Sequence, residues 1–423
     1  MKLIFDGNIF GDGCVRTGIF VVAWNLFKEL LDQTDVEITV YADVGNMVSA
    51  KTLLQNEIKN NKWNILYEDL GFVRMLSKLC GLFPKGNYFF VKALKRIMDL
   101  ISYLYLYFSP KAKRQLRNYD IFFSPQKIYP NIIKREEHIK KIIFLHDTIL
   151  YKFPEYYPQI RWYSFRIRNL LKDMNEKDYY FANSLCTKKD FLELTEKVAD
   201  DQITVVPLAC DEKFKRHEEC KLQILEKYHI PFDKKYIFSL CSIEPRKNLI
   251  RAIKTFLAFI EKNNISDMVY VLGGAEWDSF AEQFNKEKVS NETWRKYVIQ
   301  IGYVEDEDLP YLYSNAQWFV YTSQYEGFGL PPLEAMSCGC PVIVSNNSSL
   351  PEVVGKAGIL IQWDSDEEHV QAYERYYYDE ELRYEMREKG FKQVCNFSWK
   401  NAGNIITSRM KELMGEEVGG YNR

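Results

Sequence analysis

The sequence lacks the features of a membrane-spanning or secreted chain. Its longest apolar stretch, Leu100 to Phe108, is about half of the ~20 residues that a spanning helix needs. Met1 is followed at once by the strand-like run Lys2–Asp6, without the apolar core and small-residue cleavage site of a secretion signal. We therefore expect a cytoplasmic protein with no membrane span.

An excess of positive charge and paired cysteine motifs are also missing. The 56 Lys and Arg residues are balanced by 58 Asp and Glu residues, which leaves a formal net charge of -2. Such a chain has no global positive charge with which to hold a nucleic acid. The nine cysteines are odd in number, scattered, and form no C-x-x-C motif. This pattern argues against a zinc ribbon and against a disulfide framework, and it indicates a reducing compartment.

The sequence does contain a regular alternation of short apolar runs and longer amphipathic segments. The runs in the first half are Lys2–Asp6, Val36–Tyr41, Asp120–Phe123, Lys140–Leu145, Tyr179–Ala182 and Ile203–Val206. Those in the second half are Tyr236–Cys241, Met268–Leu272, Tyr297–Ile301, Gln317–Tyr321 and Val342–Ser345. Strands that alternate with helices form parallel sheets covered on both faces. We therefore predict an α/β protein with two Rossmann-like, doubly wound domains.

The strand signal gives way to a charged stretch between these two series. We place the domain boundary there, which predicts an N-terminal domain at 1–208 and a C-terminal domain at 209–397. Residues 398–423 begin with helical character over Ser398–Leu413. This helix is expected either to end the second domain or to pack back on the first.

The stretch from Tyr321 to Pro341 is the most informative in the sequence. A strand ends at Thr322, and prolines at 331 and 332 suit the first turn of a helix. Glycines at 327 and 329 allow a tight loop with close backbone approach to a ligand. This interpretation places Glu326 in the loop and Glu334 in the first helical turn, where the helix dipole favours a carboxylate. Carboxylates at the carboxyl edge of a parallel sheet are suited to accept hydrogen bonds from sugar or ribose hydroxyls. Either glutamate alone could equally be a helix cap.

Three further segments suit the binding of a phosphorylated ligand. Arg246 and Lys247 lie between a strand and a helix, where they can neutralise a diphosphate leaving group. Gly18 opens the predicted helix Thr17–Leu31 and would let backbone N–H groups approach the same phosphates. His146 follows the strand Ile142–Leu145 and should face the cleft. Taken alone, the basic pair could be a surface feature, Gly18 an ordinary turn residue and His146 a structural histidine.

Together these segments resemble retaining GT-B glycosyltransferases, and specifically the large family 4 group. The resemblance spans roughly residues 1–400. It is carried by EGFGLPPLEAMSCGCPVI from Glu326, by Ser242-Ile-Glu-Pro-Arg246-Lys247-Asn248, by Arg16-Thr17-Gly18-Ile19 and by His146-Asp147, with further matches at 182–184, 206–211, 273–274, 301–304 and 348–355. Two departures are a single glycine in the first loop, which concerns the contact with the donor phosphates, and Cys210 where the family often has Gly.

The resemblance implies two domains facing across a cleft and transfer of a hexose or deoxyhexose from a GDP- or UDP-linked donor. The expected acceptor is a glycan or lipid-linked saccharide of a bacterial surface polysaccharide. The residues it implies as catalytic are His146, Arg246, Lys247 and Glu326. Those it implies for donor binding are Gly18, Val304, Phe328, Gly329, Leu330 and Glu334. It implies no cofactor, because the basic residues can take the charge that a metal would carry.

Other interpretations remain open at this point. A catalytically inert sugar- or nucleotide-binding partner, or a GT-B epimerase or phosphorylase, would share the fold. Asp306-Glu-Asp308 has the D-x-D form of a metal-dependent site, but the helical spacing that follows favours an acidic helix start. Ser349-x-x-Glu352 has the form of a capping box, and a role at the nucleotide or sugar is as well supported.

A basic and aromatic segment runs from Lys85 to Arg117. It has eight basic residues and one acidic residue, Asp99, and seven aromatic residues lie among them. A basic amphipathic surface with aromatic side chains can lie in an anionic membrane interface. The segment predicts a peripheral membrane contact for the first domain, with a solvated face over a buried apolar stripe as the alternative.

Overall fold

Two parallel sheets follow one another along the chain. The computed structural model describes residues 1–11, 18–58, 62–82, 89–126, 130–157, 161–218, 222–242, 244–274 and 291–415. Within them, the first sheet has seven strands in the order β3-β2-β1-β4-β5-β6-β7, and the second has six in the order β10-β9-β8-β11-β12-β13. Helices connect the parallel strands, so the predicted α/β class is confirmed.

The first half contains the strands of the first sheet and their helices. The strands are β1 Lys2–Asp6, β2 Glu37–Tyr41, β3 Trp63–Ile65, β4 Ile121–Ser124, β5 Lys140–Leu145, β6 Tyr179–Ala182 and β7 Ile203–Val205. The helices are α1 Gly18–Asp32, α2 Val44–Glu57, α3 Gly71–Gly81, α4 Phe89–Phe108, α5 Pro110–Leu116, α6 Asn131–Lys134, α7 Ile149–Lys152, α8 Arg161–Asp173 and α9 Leu185–Leu194.

The second half repeats this arrangement. Its strands are β8 Lys235–Leu240, β9 Met268–Gly273, β10 Val298–Gly302, β11 Phe319–Tyr321, β12 Val342–Ser345 and β13 Gly358–Ile361. Its helices are α10 Leu222–Lys227, α11 Leu249–Lys262, α12 Asn291–Tyr297, α13 Leu309–Asn315, α14 Leu330–Ser337, α15 Leu350–Val354, α16 Asp366–Tyr378, α17 Glu380–Val394 and α18 Trp399–Leu413.

Burial explains why the sequence pattern marks most of these strands. Every residue of β4 and β12 is buried, as expected for central strands covered by helices on both faces. The two strands absent from the sequence prediction, Trp63–Ile65 and Gly358–Ile361, are the outer strands β3 and β13. They are short and only partly buried, so their apolar pattern is weak.

The last helix, Trp399–Leu413, returns to the first half of the chain. It packs along Gly18–Asp32, where a Cβ on Gly403 would stand 2.7 Å from the Glu29 side chain. Lys411 forms an ion pair with Asp35 at 2.7 Å. The carboxyl-terminal part of the chain thereby ties the two halves together.

Candidate active site

The two sheets each have a switch point, where strand order reverses between β1 and β4 and between β8 and β11. Ligands of open α/β sheets bind beyond the carboxyl ends of the strands at such points. In the second sheet, the loop after β8 carries Arg246 and Lys247, and the loop after β11 carries Glu326. These loops face the first half across a cavity of about 680 Å³ that residues from both halves line.

Arg246, Lys247 and Glu326 form one buried ionic cluster. The Oε1 atom of Glu326 lies 2.8 Å from Nη1 of Arg246 and 2.7 Å from Nζ of Lys247. Lys247 also donates to the Tyr321 hydroxyl at 2.6 Å. The structure thus brings together three of the four residues predicted to be catalytic.

The charges in this cluster hold one another in the ionised state. Burial would raise the pKa of Glu326, but the neighbouring charges of Lys247 and Arg246 outweigh burial and lower it. Burial disfavours charged Lys247, yet Glu326 raises the pKa of that ammonium group above its ordinary value. Glu244, whose carboxylate also pairs with Arg246, adds a second anion, so the two cations here are balanced by two carboxylates.

Arg246 has further partners that the sequence analysis missed. Its Nε atom donates to the Tyr157 hydroxyl at 3.3 Å, and Nη2 lies 3.2 Å from Glu244. Tyr157 in turn donates to the Glu244 carboxylate. Because Tyr157 belongs to the first half and Glu244 to the second, no local sequence pattern joins them.

Glu334 lines the same cavity but is not in the first helical turn. Helix α14 begins at Leu330, so Glu334 is its fifth residue, and the predicted contribution of the helix dipole is wrong. The Tyr313 hydroxyl donates to Glu334 Oε2 at 3.2 Å. Burial raises the pKa of Glu334 to about 7.

The loop from Glu326 to Leu330 packs directly on the first half. A Cβ on Gly327 would stand 2.2 Å from the His146 carbonyl oxygen, so only glycine fits there. The sequence predicts that Gly327 closely approaches a ligand. In the structure, Gly327 closely approaches protein backbone instead. Gly329 has φ +121°, which favours glycine. Phe328 is buried against the Phe397 ring, and Phe328, Gly329 and Leu330 all line the cavity.

His146 lies at the carboxyl end of β5 and lines the cavity, as the sequence predicts. Its side chain is buried, and Nε2 donates to the carbonyl oxygen of Pro125 at 2.7 Å. This hydrogen bond orients the imidazole ring and places a proton on Nε2.

Gly18 and Val304 differ in their relation to the cleft. Gly18 is the first residue of α1, it lines the cavity, and an added Cβ would meet open space. Arg16 and Thr17, which precede it in the predicted glycine loop, lie outside the described residues. Val304 is buried against Gly273 rather than in the cavity wall. A donor contact at either position stays a prediction.

The D-x-D segment lies at a helix start. Asp308 precedes α13 and accepts hydrogen bonds from Lys227 at 2.6 Å and Tyr228 at 2.8 Å. Asp306 pairs with Lys213 at 3.3 Å. In the part of the chain that the structure describes, no group of three or more His, Cys, Asp or Glu side chains could hold a metal ion.

The capping-box interpretation of Ser349 and Glu352 is wrong. Ser349 Oγ donates to the carbonyl oxygens of Glu326 and Phe328 and makes no cap bond to its own helix. Glu352 instead reaches the first half, where its two oxygens accept the backbone N–H groups of Leu185 and Cys186, each at 2.7 Å. Glu352 therefore caps helix α9 of the other half, which the sequence spacing does not reveal.

Several cavity residues have no signal strong enough for sequence reasoning alone. They include Trp24, Lys28, Leu208, Lys213 and Leu309. Asn183 donates to the His146 carbonyl oxygen at 2.8 Å and helps to fix the strand end. Cys210, noted above as a departure from the family pattern, also lines the cavity and lies 2.9 Å from the Ser337 hydroxyl.

Two parallel α/β sheets that face a shared polar cleft with their carboxyl edges form the GT-B fold. The crystal structure of Anabaena Alr3699/HepE in complex with UDP and glucose has the same fold, with a TM-score of 0.67, 14% identity, and coverage of 97% of this chain and 100% of that one. The chain belongs to the family described as Glycosyl transferases group 1, which matches residues 221–393.

Curated relatives include two kinds of Escherichia coli mannosyltransferase. O-antigen chain mannosyltransferase B is 32% identical over 305 residues, which are 71% of this chain and 76% of that protein. Serotype-specific mannosyltransferase WbdA is 29% identical over 284 residues, which are 65% of this chain but only 34% of WbdA. The chain is therefore a glycosyltransferase.

Proposed function

We propose that this glycosyltransferase moves a hexose or deoxyhexose from a nucleotide diphosphate sugar to a glycan or lipid-linked saccharide in bacterial surface polysaccharide synthesis. The observation that carries this proposal is the cluster of Arg246, Lys247 and Glu326, which faces His146 across the cleft. The names of the mannosyltransferase relatives favour mannose as the transferred sugar and an O-antigen-like glycan as the acceptor.

The basic pair can stabilise the leaving nucleotide diphosphate. Negative charge grows on the diphosphate as its bond to the sugar breaks, and preorganised donors near that charge lower the barrier. Glu326 fixes both cations in place before the donor arrives. Through its other oxygen, Glu326 can accept a hydrogen bond from a sugar hydroxyl.

We infer that transfer retains the anomeric configuration. The support is the resemblance of the site segments to retaining enzymes, in which the acceptor attacks the face from which the diphosphate departs. The acceptor hydroxyl then loses its proton as the new glycosidic bond forms, and the departing phosphate oxygen can take it up. Analysis of the anomeric proton of the product by NMR tests the stereochemistry, and an inverted product would contradict retention.

A donor screen tests the proposed function as a whole. UDP-, GDP-, dTDP- and CMP-sugars would be added to the protein in a thermal-shift assay, followed by hydrolysis and transfer assays with the donor that binds. A ligand at 100 times its dissociation constant should stabilise the fold by ~2.7 kcal/mol. Binding with neither hydrolysis nor transfer would favour an inert partner of the same fold. An epimerised sugar would favour an epimerase, and a sugar 1-phosphate released from a glycan in phosphate buffer would favour a phosphorylase.

We expect transfer to be independent of a divalent metal. The carboxylates of Asp306 and Asp308 are already paired with Lys213 and Lys227, and Arg246 and Lys247 supply positive charge at the cleft. The measurement is transfer in the presence of EDTA. Loss of transfer with EDTA and its recovery on addition of Mn²⁺ would contradict this expectation.

The first half carries a surface suited to an anionic membrane. Helices α3 and α4 pack side by side, and apolar side chains are exposed on this surface: Phe90 of α4 is 76% exposed, and Leu82, directly after α3, is 80% exposed. Lys92 and Arg96 are exposed on α4, and Lys95 is partly exposed. We infer that this surface holds the enzyme beside a lipid-linked acceptor. Lys85 and Tyr88 of the predicted segment lie outside the described residues. Among the residues that the structure describes, no helix is both long and apolar enough to span a membrane.

A further inference from the structure

The first sheet has its own cavity, separate from the cleft. It has a volume of about 530 Å³ and shares no lining residue with the cleft cavity. It lies beyond the carboxyl ends of β1, β2 and β4, and α4 closes it on one side. The switch point of the first sheet is between β1 and β4, so this cavity occupies the position at which α/β sheets bind ligands.

A buried polar group without a partner lies in the wall of this cavity. Tyr67 is 2% exposed, and its hydroxyl has no hydrogen-bond partner among the described residues. A buried hydroxyl without a partner costs about 1–3 kcal/mol, so such groups usually have a ligand or a structural reason. Tyr67 also has a left-handed backbone conformation, with φ 66°.

Two carboxylates, those of Asp43 and Asp99, line the same cavity. Asp43 accepts a hydrogen bond from the Tyr41 hydroxyl at 2.7 Å, and Asp99 accepts one from the Gly45 N–H at 2.9 Å. Each of these hydrogen bonds engages only one carboxylate oxygen. Burial is the main cause that raises the pKa of both groups, to about 6 for Asp99.

The remaining lining residues decide the kind of ligand. Among the described lining residues there is no lysine or arginine, so the cavity wall offers no positively charged side chain for a phosphate. It does offer hydrogen-bond acceptors at Asp43 and Asp99, the side chains of Asn46 and Ser102, and the ring of Tyr103. Carboxylates and amides beside aromatic rings match the hydroxyls and apolar faces of a sugar.

We propose that this cavity binds a sugar residue of the glycan acceptor upstream of the one that reacts, an inference that rests on the proposed function. Strands β1, β4 and β5 are neighbours, so at about 4.8 Å per strand the ends of β1 and β5 are roughly 10 Å apart. The cavity thus lies beside the end of β1, and His146 follows the end of β5. A sugar in the cavity is too far away to react beside His146, but the same oligosaccharide can reach both places. The cavity then selects acceptors by the sugar residue that precedes the reacting one.

The test compares acceptors of different length with variants of the cavity wall. The probes are α-linked manno-oligosaccharides of one to five residues, used with the donor that the wild-type protein accepts. Tyr67→Phe removes an oxygen that bonds to no described protein group, so the fold should hold. Asp99→Asn removes an anionic acceptor, and Tyr384→Phe on the exposed face of α17 is the matched control.

The expected result is a KM effect confined to longer acceptors. Tyr67→Phe should raise KM for the longer oligosaccharides by about 3–10-fold and Asp99→Asn by about 10–100-fold, the ranges expected for neutral and charged hydrogen bonds. Tyr384→Phe should change neither value. Donor dissociation constants should match the wild type in all three variants.

Two outcomes separate this inference from the proposed function. If the wild type binds and uses a donor, but Tyr67→Phe leaves KM unchanged at every acceptor length, the cavity is not an acceptor subsite. A wild type that neither binds nor hydrolyses any nucleotide sugar contradicts the proposed function itself. If Asp99→Asn does not fold, Tyr67→Phe decides the question.

Discussion

Glu326 shows how one carboxylate can organise a basic pair. It accepts hydrogen bonds from both Arg246 and Lys247 through a single oxygen, and the peptide N–H of Glu326 donates to Ser348 Oγ at 3.0 Å. Sequence spacing suggests a glutamate that is available to a sugar. The structure shows one that also holds two cations, so substitutions in this cluster are expected to change stability as well as catalysis.

Removal of the Lys247 charge tests the assignment of the diphosphate site. Lys247→Met keeps the length of the side chain and should lower transfer per folded molecule by roughly 10²–10³-fold, because a preorganised donor to the leaving group is lost. The melting temperature should also fall, since Glu326 loses one of its two cations. Lys262→Met, on the exposed side of α11, is the control. Near-normal turnover in Lys247→Met would show that Lys247 does not stabilise the leaving diphosphate.

The raised pKa of Glu334 predicts a pH-dependent donor affinity. With a pKa of about 7, only the ionised form above that pH is a full hydrogen-bond acceptor for a donor hydroxyl. The ionised fraction rises roughly tenfold between pH 6 and pH 8, so calorimetric titration should show up to about tenfold tighter donor binding at pH 8. Glu334→Gln should abolish this dependence. If Glu334→Gln keeps the pH dependence of the wild type, another group is responsible for it.

The same carboxyl group affects stability in the opposite direction. Burial raises its pKa from 4.5 in the unfolded chain to about 7 in the fold. Its contribution to the free energy of unfolding is therefore fully present below about pH 4.5 and is lost as the pH rises through about 7. Glu334 thus favours donor binding under conditions in which it no longer favours the fold.

Helices α3 and α4 differ from the other amphipathic helices in what they leave exposed. Helix α4 exposes Ile97, Leu100, Leu104 and Phe108 to solvent. It buries Ser102 and Leu106 and contacts α2 and α3. An exposed apolar stripe beside basic residues is the arrangement that binds anionic lipid surfaces.

Liposome sedimentation tests the role of this surface. The protein should pellet with anionic vesicles at low salt, be released as salt rises, and ignore neutral vesicles, because each basic residue contributes ~1 kcal/mol near an anionic surface. Charge reversal at Lys92, Lys95 and Arg96 should weaken this binding. Charge reversal at Lys389, Lys392 and Lys400 is the matched control. Equal sedimentation of both variants with anionic vesicles would show that the segment is a solvated face and does not bind the membrane.

The two halves are joined by contacts that cross the cleft. Ser184 and Thr187 donate to the Gly327 carbonyl oxygen at 2.7 and 3.2 Å. Tyr156 donates to the Gln324 side chain at 2.9 Å. Together with Glu352, these contacts hold the loop that carries Glu326 against the strand end that carries His146.

Loss of the Glu352 contact should favour an open arrangement. The carboxylate caps α9 of the other half, and loss of a helix cap costs about 0.5–2 kcal/mol. Glu352→Ala should therefore shift the balance between open and closed molecules by up to about 30-fold, with a larger radius of gyration in small-angle X-ray scattering and a lower kcat/KM. Glu367→Ala, on the surface of α16, is the control. An unchanged scattering curve and rate would show that Glu352 does not control closure.

Much of the fold and part of the site could be predicted from the order of residues. Buried parallel strands are continuous apolar runs, so β1, β5, β6 and β12 were placed at their observed bounds. The strand–loop–helix pattern likewise placed Arg246, Lys247, Glu326 and His146 at strand ends. Because parallel strands share one carboxyl edge, that local information also indicated the edge at which the cleft cavity lies.

Tertiary structure alone decided how these local pieces meet. Glu352 has the spacing of a capping box, yet it caps a helix 166 residues earlier because the two halves close on each other. Gly327 was interpreted as an approach to a ligand, but it faces the His146 backbone. Tyr157 and the Tyr67 cavity have no local signature. Hydrogen bonding and burial depend on distance in space, and sequence patterns report periodicity within one segment rather than the distance between segments.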